Sequence, residues 1–508
     1  MNFSIVNAQS FRSSTRVPTS LVVAGDERQA SYWNRRLALT LGPGHAALVE
    51  EQNKGNFLGT LRAYRAILRG TLPEIQSVGA LEQIVMLVGS GTRLSPFTQA
   101  LANTKSAFPL PDAGELERGR NIGEYALRSS LPIVDCLHAG GFNGIVVRWG
   151  DEVQVPSHLL GSDGQQYRDV DAVRFGWKVE PTELLATQKE WMLTDASGIV
   201  VRDVVRQPLD QLRSEFASSS ATQELSAYVN LGSLAASHEL LEIACEVFDD
   251  EIDDQRSAAN WDPYFWMALQ CHTATEWGEL GRAETRRGHQ GIRALMDSQP
   301  NFFERVHRVK RLFERRKGRA IRVAVLDFGE PYWFDVGSHF ALRKILADVF
   351  SMSHDGQIVR ALLDIPDGVA EGDSLVLGSQ IASGTAIINS VVLGATITDP
   401  RSVLEGAIVL GGEYGHLVVQ RGGAAIQSVC ETLTVEGPHG IAFRLKAFDA
   451  KIRGGESVAS IGRDQESFTL RYDDSLGSIN HESYERVVLD NAISFQQAAR
   501  LMGAEDPQ

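Results

Sequence analysis

The stretch that decides the fold is Ile84-Val-Met-Leu-Val-Gly-Ser-Gly-Thr-Arg-Leu-Ser-Pro, at residues 84–96, with Lys105 following twelve positions after Arg93. An apolar run of strand length leads into glycines, which let a backbone turn come close to a ligand. The free N–H groups of such a turn can face a polyanion. Arg93 offers a planar fork for phosphate oxygens, and Lys105 offers a compact positive charge. The stretch therefore predicts a triphosphate-binding turn at the end of a strand.

Two common phosphate-binding signatures do not fit this turn. The dinucleotide fingerprint needs a third glycine three positions after Gly91, where the chain has Leu94, and the P-loop needs a Gly-Lys-Ser/Thr triplet that this stretch lacks. The stretch resembles instead the signature of the sugar nucleotidyltransferases (NDP-sugar pyrophosphorylases), Gly-x-Gly-Thr-Arg-Leu-x-Pro followed by a lysine. It departs from that signature at Val88, Ser90 and Ser106. The alternative is a strand-to-helix turn with glycine for geometry alone, which leaves the arginine and the lysine unexplained.

The resemblance implies an α/β fold with a Rossmann-like nucleotidyltransferase sheet. It implies that the turn formed by Gly89, Ser90, Gly91 and Thr92 holds the triphosphate. Arg93 and Lys105 then take the catalytic positions, where Arg93 would stabilise the leaving pyrophosphate and Lys105 would act at the α-phosphate.

The region before residue 81 predicts two more strands of the same kind. Residues 21–25 and 46–49 are apolar runs, and residues 30–41 between them indicate a helix. In the resembled family, a glutamine followed by Leu-Gly-Thr at a helix start receives the nucleotide base, and Gln52, Gly59 and Thr60 match that pattern. The family places this motif after the glycine-rich turn, so we expect a permuted sheet whose missing strands come from residues 1–80. A chance likeness in an unrelated helical cap is the alternative.

Two aspartates are candidates for a magnesium site. Asp151 follows a predicted strand, at the carboxyl edge where open α/β sheets bind ligands, and carboxylates are the ligands that Mg²⁺ prefers. The resemblance implies that this aspartate holds the catalytic Mg²⁺. Asp335 lies in Trp-Phe-Asp-Val-Gly-Ser, which is similar to the family's Trp-x-Asp-x-Gly-Thr, whose aspartate completes the site. Asp26, in a second Gly-Asp-Glu triplet, is a competing candidate, and helix capping is the alternative for Asp335.

Sugar binding is implied by two further segments. Asn230 and Gly232 match the family's Asn-x-Gly strand, in which the amide can bind a hydroxyl pair and the glycine leaves room for the ring. The hairpin that ends in Glu-Lys-Pro in the family reads Arg206-Gln-Pro here, so the phosphate-binding lysine is replaced by Gln207. Arg206 could take over that contact, or it could be an exposed hairpin arginine.

After residue 366 the sequence repeats an aliphatic pattern with glycine, which indicates stacked coils of a parallel β-helix. It resembles the short left-handed β-helix attached to several pyrophosphorylases, while a plain antiparallel sheet is the alternative. We therefore expect four regions: an N-terminal α/β segment at 1–80, a nucleotidyltransferase domain at 81–365, a short β-helix at 366–425, and a β-rich region with a final helix at 426–508.

Composition favours a cytoplasmic enzyme. The net charge of −15 argues against binding to nucleic acid or an anionic membrane, so local cations or metal must attract an anionic substrate. The four cysteines lie far apart, without the paired spacing of zinc or redox motifs, and are expected to be reduced. No apolar signal segment or membrane-length run is present in the sequence. An exposed β-helix edge would favour a homo-oligomer.

The expected activity is condensation of a nucleoside triphosphate with a sugar 1-phosphate, dependent on Mg²⁺, to give a nucleotide sugar and pyrophosphate. Lys105 followed by serine resembles the uridylyltransferase branch, which favours UTP. The alternative is a catalytically weak subunit that binds sugar phosphate or nucleotide sugar and regulates or scaffolds a partner. Acyl transfer by the β-helix has little support, because the nearest histidine is His416.

Overall fold

The computed structural model describes residues 3–14, 16–50, 54–88, 91–116, 119–161, 164–219, 225–254, 256–288, 290–463 and 466–502. Gln52, Gly89 and Ser90, which the sequence assigns to the nucleotide site, lie outside the described residues. Within these ranges, no helix combines the length and the apolar composition that crossing a membrane requires.

The first 365 residues contain both strands and helices. The strands are β1 (Ser20–Ala24), β2 (Ala46–Val49), β3 (Gln83–Met86), β4 (Pro109–Leu110), β5 (Arg120–Asn121), β6 (Gly144–Trp149), β7 (Glu152–Val155), β8 (Ala172–Lys178), β9 (Trp191–Thr194), β10 (Val200–Val204), β11 (Ser226–Ser237), β12 (Val323–Asp327) and β13 (Tyr332–Asp335). The helices are α1 (Phe3–Ser13), α2 (Glu27–Thr40), α3 (Gly55–Leu68), α4 (Phe97–Ala100), α5 (Ile122–Ser129), α6 (Leu131–Ala139), α7 (Glu183–Gln188), α8 (Leu209–Ser219), α9 (His238–Val247), α10 (Asp249–Asp253), α11 (Trp266–Gln270), α12 (Ala274–Arg286), α13 (Gln290–Ser298), α14 (Phe302–Lys317), α15 (His339–Asp348) and α16 (His354–Leu363).

The main sheet contains a parallel half in which β2, β1, β3 and β6 lie side by side. Leu21 of β1 lies opposite Ala46 of β2 and Ile84 of β3. Every residue of β1 and β3 is buried, as expected for central strands covered on both faces. β1 and β2, which precede the glycine-rich turn in the chain, therefore lie in one sheet with β3. The carboxyl ends of all four strands meet at one edge.

The other half of the sheet brings a bent strand to the same edge. β11 runs antiparallel to β6, β8 and β9, and its register with β8 shifts between Asn230 and Leu234. Leu234 lies opposite Val147 of β6. Since the two strands are antiparallel, the irregular segment just before Leu234 lies beside the carboxyl end of β6. A separate ribbon of β7 and β13 follows, with Glu152 opposite Asp335.

The remaining chain forms parallel coils. Its elements are β14 (Leu375–Leu377), β15 (Gln380–Ile381), β16 (Ala386–Ile388), β17 (Val391–Leu393), β18 (Thr396–Ile397), β19 (Val403–Glu405), β20 (Ile408–Leu410), β21 (Glu413–Val419), β22 (Ala424–Ile426), β23 (Val429–Val435), β24 (Ile441–Phe443), β25 (Lys446–Ile452), β26 (Ser457–Arg463), β27 (Glu466–Tyr472), α17 (His481–Glu485) and α18 (Phe495–Met502). Leu375 lies opposite Val391, and Val391 opposite Ile408, so one coil takes 16 or 17 residues. The pairing is parallel, which excludes the plain antiparallel sheet; left-handed winding stays a prediction.

The parallel ladder does not end near residue 425, the boundary that the sequence pattern predicts. It continues from β22 through β24 to β26, and only β27 pairs antiparallel. The later coils are harder to recognise because buried aliphatic residues alternate with exposed polar ones. In β25, for example, Ile452 is buried while Lys446 and Asp449 are exposed.

The coils and the α/β region share one hydrophobic core. Phe443 of β24 lies against Phe97 and Phe108, with ring centroids 5.3 and 4.8 Å apart. His339, at the start of α15, is buried between Ser95, whose carbonyl lies 2.7 Å from Nε2, and Ser457 of β26. Burial lowers the pKa of His339 to about 3, so the imidazole is neutral in this core.

Candidate active site

The glycine turn brings the backbone against Lys105. Gly91 has φ of +55°, in the left-handed region that favours glycine. A Cβ at this position would lie 2.9 Å from the Cβ of Lys105 and 3.0 Å from Cγ2 of Thr98. The Thr98 hydroxyl donates a 2.8 Å hydrogen bond to the Gly91 carbonyl, which fixes the turn. Gly91 is therefore required both by its backbone conformation and by the close approach of Lys105.

Lys105 and Asp151 meet at the carboxyl edge of the sheet. The Lys105 ammonium forms an ion pair with Oδ2 of Asp151, and the two side chains are 15% and 24% exposed. Asp151 follows β6 through Gly150, whose N–H donates to the Met86 carbonyl of β3 at 2.9 Å. A Cβ on Gly150 would lie 1.5 Å from Cδ2 of Leu87, so this position requires glycine. The ends of β3 and β6 thus position the pair.

The backbone of Asp335 lies beside that of Asp151 in space. Asp335 is opposite Glu152 in the β7–β13 ribbon, and the N–H of Val336 donates to the Asp151 carbonyl at 3.1 Å. The side chain of Asp335 lies outside the described atoms. The backbones of the two residues predicted to bind magnesium therefore lie side by side in the fold, although the residues are 184 positions apart in the sequence (335 − 151).

The residues at this edge suit magnesium by donor type. Carboxylate oxygens are the ligands that Mg²⁺ prefers, and it binds through one or two of them while keeping water and phosphate ligands. Among the side chains that the structure describes, no group of three His, Cys, Asp or Glu residues could hold a metal ion. Asp26, the competing candidate, caps α2 by accepting from the N–H groups of Arg28 and Gln29, which accounts for its position.

The Asn-x-Gly segment lies against the end of β6. Gly232 has φ of +83°, and a Cβ there would lie 3.1 Å from Nε1 of Trp149. The N–H of Gly232 donates to Oδ1 of Asn230 at 3.1 Å. The Gln154 amide donates to the Leu231 carbonyl at 2.9 Å, which ties the segment to β7. Asn230 and Gly232 are therefore brought to the same edge as Asp151.

Arg206 reaches this edge through Glu190. Its Nη2 lies 3.3 Å from Oε1 of Glu190, and the Asn230 N–H donates to the Glu190 carbonyl at 2.8 Å. Arg206 is largely exposed. Gln207 is buried, and its amide has no hydrogen-bond partner in the part of the chain that the structure describes.

Of the predicted base-binding residues, Gly59 and Thr60 lie on α3, beside the end of β3. A Cβ on Gly59 would lie 2.5 Å from Oε1 of Glu50 and 2.7 Å from Cε of Met86. Thr60 is fully buried, and its hydroxyl donates to the Asn56 carbonyl of its own helix at 2.6 Å. Gly59 therefore faces the sheet edge, whereas the hydroxyl of Thr60 is used within the helix.

Arg93 lies on the exposed side of the 3-10 turn Thr92–Leu94 that follows Gly91. It forms no ion pair or hydrogen bond with the described residues. Lys189, which no sequence motif indicates, places its ammonium 4.0 Å from the ring centre of Trp333 in β13. The edge therefore carries several cations on a chain whose net charge is −15.

Four residues at this edge belong to no sequence motif: Trp149, Gln154, Glu190 and Lys189. Trp149 and Gln154 could have been suspected because they flank Gly150-Asp151 on predicted strands, but the contacts they make depend on β11 folding back against β6. The four cysteines are free and buried, as the sequence predicts for structural thiols.

No protein-family model matches the chain, and no curated protein matches it either. Among solved structures, the chain is similar to one described as the crystal structure of a mannose-1-phosphate geranyltransferase from Thermus thermophilus. That match covers 90% of this chain and 95% of the other, with 13% sequence identity and a TM-score of 0.23. A likeness at this TM-score adds nothing to the geometry described above.

Proposed function

We propose that this protein is a nucleotidyltransferase that condenses a nucleoside triphosphate with a sugar 1-phosphate. The observation that carries the proposal is the contact between Lys105 and Asp151, beside the left-handed turn at Gly91. A strand-to-helix turn needs neither residue for its geometry. A cation and a carboxylate at the carboxyl edge of a parallel sheet are what phosphoryl chemistry on an anionic substrate needs.

In the proposed reaction, an oxygen of the sugar phosphate attacks the α-phosphorus of the triphosphate. A new P–O bond forms, the bond from the α-phosphorus to the bridging oxygen breaks, and its electron pair leaves with pyrophosphate. Such a transfer depends on positioning and charge neutralisation more than on covalent chemistry. The turn at Gly91–Arg93 would hold the β- and γ-phosphates, and Lys105 would stabilise the charge that develops at the α-phosphate.

Mg²⁺ would be held by Asp151 and Asp335, and when bound it would neutralise phosphate oxygens that approach one another. Asn230 and Gly232 would lie beside the sugar, where Gly232 leaves room for the ring. Arg206 and Lys189 are two cations near this edge that would contact the sugar phosphate in place of the lysine that Gln207 replaces. Gly59, and Gln52 before it, would face the base, with Thr60 supporting the helix.

The second candidate is a weakly catalytic subunit that binds the same ligands and regulates or scaffolds a partner. Gln207 motivates it, because a neutral buried amide stands where the resembled family has a lysine. The retained Lys105 and Asp151 favour the enzyme.

The test uses the purified full chain with Mg²⁺, the four common nucleoside triphosphates and a panel of sugar 1-phosphates, with pyrophosphate release as the readout. We expect release with one pair, UTP being the first triphosphate to try. Arg93→Ala and Lys105→Met should each lower turnover by about 10²-fold or more, the scale of losing one preorganised charge contact. Lys446→Met removes an exposed lysine on the coils and should leave turnover unchanged.

Two outcomes would contradict these assignments. If no substrate pair releases pyrophosphate while nucleotide or sugar phosphate still binds, the regulatory subunit is favoured over the enzyme. Wild-type rates in both the Arg93 and the Lys105 variants would remove the site assignment even if the protein were active.

A further inference from the structure

A second cleft lies between α2, residues 107–109 and 119–121, and the corner of two coils. Its volume is about 430 Å³, within the range of roughly 300–1,000 Å³ usual for small-molecule sites. Tyr32, Arg35, Arg36 and Leu39 line one wall. These positions are three or four residues apart, so they share one face of α2. Gln427 and Arg444, from the coils, also line the cleft.

Gln427 and Arg444 occupy backbone positions that the preceding coils give to glycine. The N–H of Gly394, Gly411, Gln427 and Arg444 each donates to a carbonyl of the preceding coil, at residues 377, 393, 410 and 426. These four positions therefore form one corner of the stack. Their φ angles are +62°, +59°, +51° and +46°.

A non-glycine residue is disfavoured in this left-handed region, because its Cβ comes too close to the following carbonyl oxygen. Of the four corner positions just described, only the two in the coils that line the cleft carry long polar side chains. Strained residues of this kind cluster at ligand sites, where the surrounding structure holds them in place.

The charge of Arg444 is not neutralised by a neighbouring carboxylate. Its Nη1 donates to the Ala100 carbonyl at 3.1 Å, and its Nε donates to Oε1 of Gln427 at 3.2 Å. Both acceptors are neutral, and no carboxylate pairs with Arg444 among the described residues. Arg36, in contrast, is paired through Nε and Nη2 with both carboxylate oxygens of Glu124 at 2.9 and 3.0 Å.

The cleft therefore presents a guanidinium charge that is not offset locally, on a protein that is acidic as a whole. Arg35 adds a second guanidinium from α2, while Leu39, Ala107 and Pro109 supply apolar surface. Guanidinium groups match the geometry of phosphate oxygens, and an apolar wall suits a short carbon chain.

We propose that this cleft is a binding site for a small organic phosphate, distinct from the candidate active site, in which Arg444 and Arg35 hold the phosphate group. Tyr32 and the apolar wall contact the carbon part of the ligand. The proposal does not depend on the nucleotidyl transfer proposed above, although Ala107 of the cleft belongs to the same 3-10 turn as Lys105.

The test is calorimetric titration of the full chain with glycerol 3-phosphate at constant ionic strength, with glycerol as the neutral counterpart. We expect saturable binding of one glycerol 3-phosphate per chain and no binding of glycerol. Arg444→Gly should weaken binding by at least about tenfold, the effect of losing a charge-assisted contact. This variant restores the residue used at Gly411, so it is expected to fold.

Further variants separate the two sites. Arg93→Ala changes the candidate active site and should bind glycerol 3-phosphate as the wild type does. Arg421→Ala removes an exposed coil arginine that pairs with Glu405 outside the cleft, and should also bind normally. Arg35→Ala, at an exposed position of α2, should weaken binding and replaces Arg444→Gly if that variant fails to fold.

Three results would overturn the proposal: no saturable binding by the wild type, wild-type affinity in both Arg444→Gly and Arg35→Ala, or loss of binding in Arg93→Ala. The last would assign the glycerol 3-phosphate to the candidate active site.

Discussion

Glu50 is a buried carboxyl group at the end of β2, on the edge of the sheet where the candidate site lies. Its Oε1 accepts from the Lys54 N–H at 3.2 Å, while its Oε2 has no partner among the described residues. Burial raises the pKa of Glu50 to about 7, against the smaller opposing effects of that hydrogen bond and of the Arg62 and Lys54 charges. No pattern in the sequence indicates this shift, since a glutamate after a short strand is usually solvated.

Glu50→Gln is expected to make the protein more stable above neutral pH. The folded-state pKa, about 7, lies above the ordinary value of 4.5, so the folded state binds the proton more tightly. The contribution of Glu50 to wild-type stability therefore falls as the pH rises from 4.5 to 7, by about 3 kcal/mol in total. Thermal unfolding between pH 5 and 8 should show the melting temperature of the variant rising relative to the wild type over this range. Parallel profiles for the two proteins would show that the pKa of Glu50 is not shifted.

The sequence predicts those residues of the candidate site that belong to a signature with a chemical role. Lys105, Asp151 and Gly232 follow from residue type and order, and the structure brings them to one edge. The contact of Trp149 with Gly232 could not be predicted, because it depends on the register shift in β11. Thr60 matched its motif by sequence, but helical geometry turns its hydroxyl onto the helix backbone.

The turn at Gly91 is the element that sets Lys105 in place, which a pair of glycine variants can test. Gly91→Ala should destabilise the protein by about 1–2 kcal/mol through its left-handed backbone, and its Cβ would also push on Lys105. Gly70→Ala is the matched control, because Gly70 has φ of +66° and no atom within 4 Å of the added Cβ. Misplacement of Lys105 should lower turnover by about 10²-fold in Gly91→Ala alone.

Melting temperature and pyrophosphate release are the two measurements for this pair. We expect both variants to melt earlier than the wild type and only Gly91→Ala to lose activity. Equal activity in the two variants would show that the turn does not position Lys105.

Elements differ in how strongly their sequences specify them. β1 and β3 are continuous apolar runs because both faces are buried, so they could be recognised from the sequence. β23 and β25 mix buried aliphatic residues with exposed polar ones on one strand, so the boundary predicted near residue 425 falls too early in the chain. Parallel pairing across 16 or 17 residues is a property of the stack, which no single coil displays.

At the scale of the whole molecule, the coils complete a core that also supports the candidate site. Phe97 and Phe108 lie on either side of Lys105 in the chain, and both contact Phe443 of the coils. Arg343 of α15 donates to the Gly455 carbonyl at 2.6 Å and so ties the α/β region to the last coils. The α/β region and the coils are therefore expected to unfold together.

Phe443→Ala tests this coupling against Phe448→Ala, a second phenylalanine of the coils whose side chain is 81% exposed. Because Phe443 is fully buried, its truncation should destabilise the protein by about 3–5 kcal/mol, whereas the exposed change should stay within about 0.5 kcal/mol. Denaturant unfolding should be followed by tryptophan fluorescence, since Trp33, Trp191, Trp261 and Trp266 are all buried in the α/β region. If truncation of Phe443 destabilises the shared core, the midpoint of the fluorescence transition should move to lower denaturant concentration. The midpoint of the circular dichroism transition of the coils should move with it. An unchanged fluorescence midpoint beside an earlier loss of coil signal would mean that the α/β region folds without the coils, and that the aromatic contact does not transmit stability to the turn carrying Lys105.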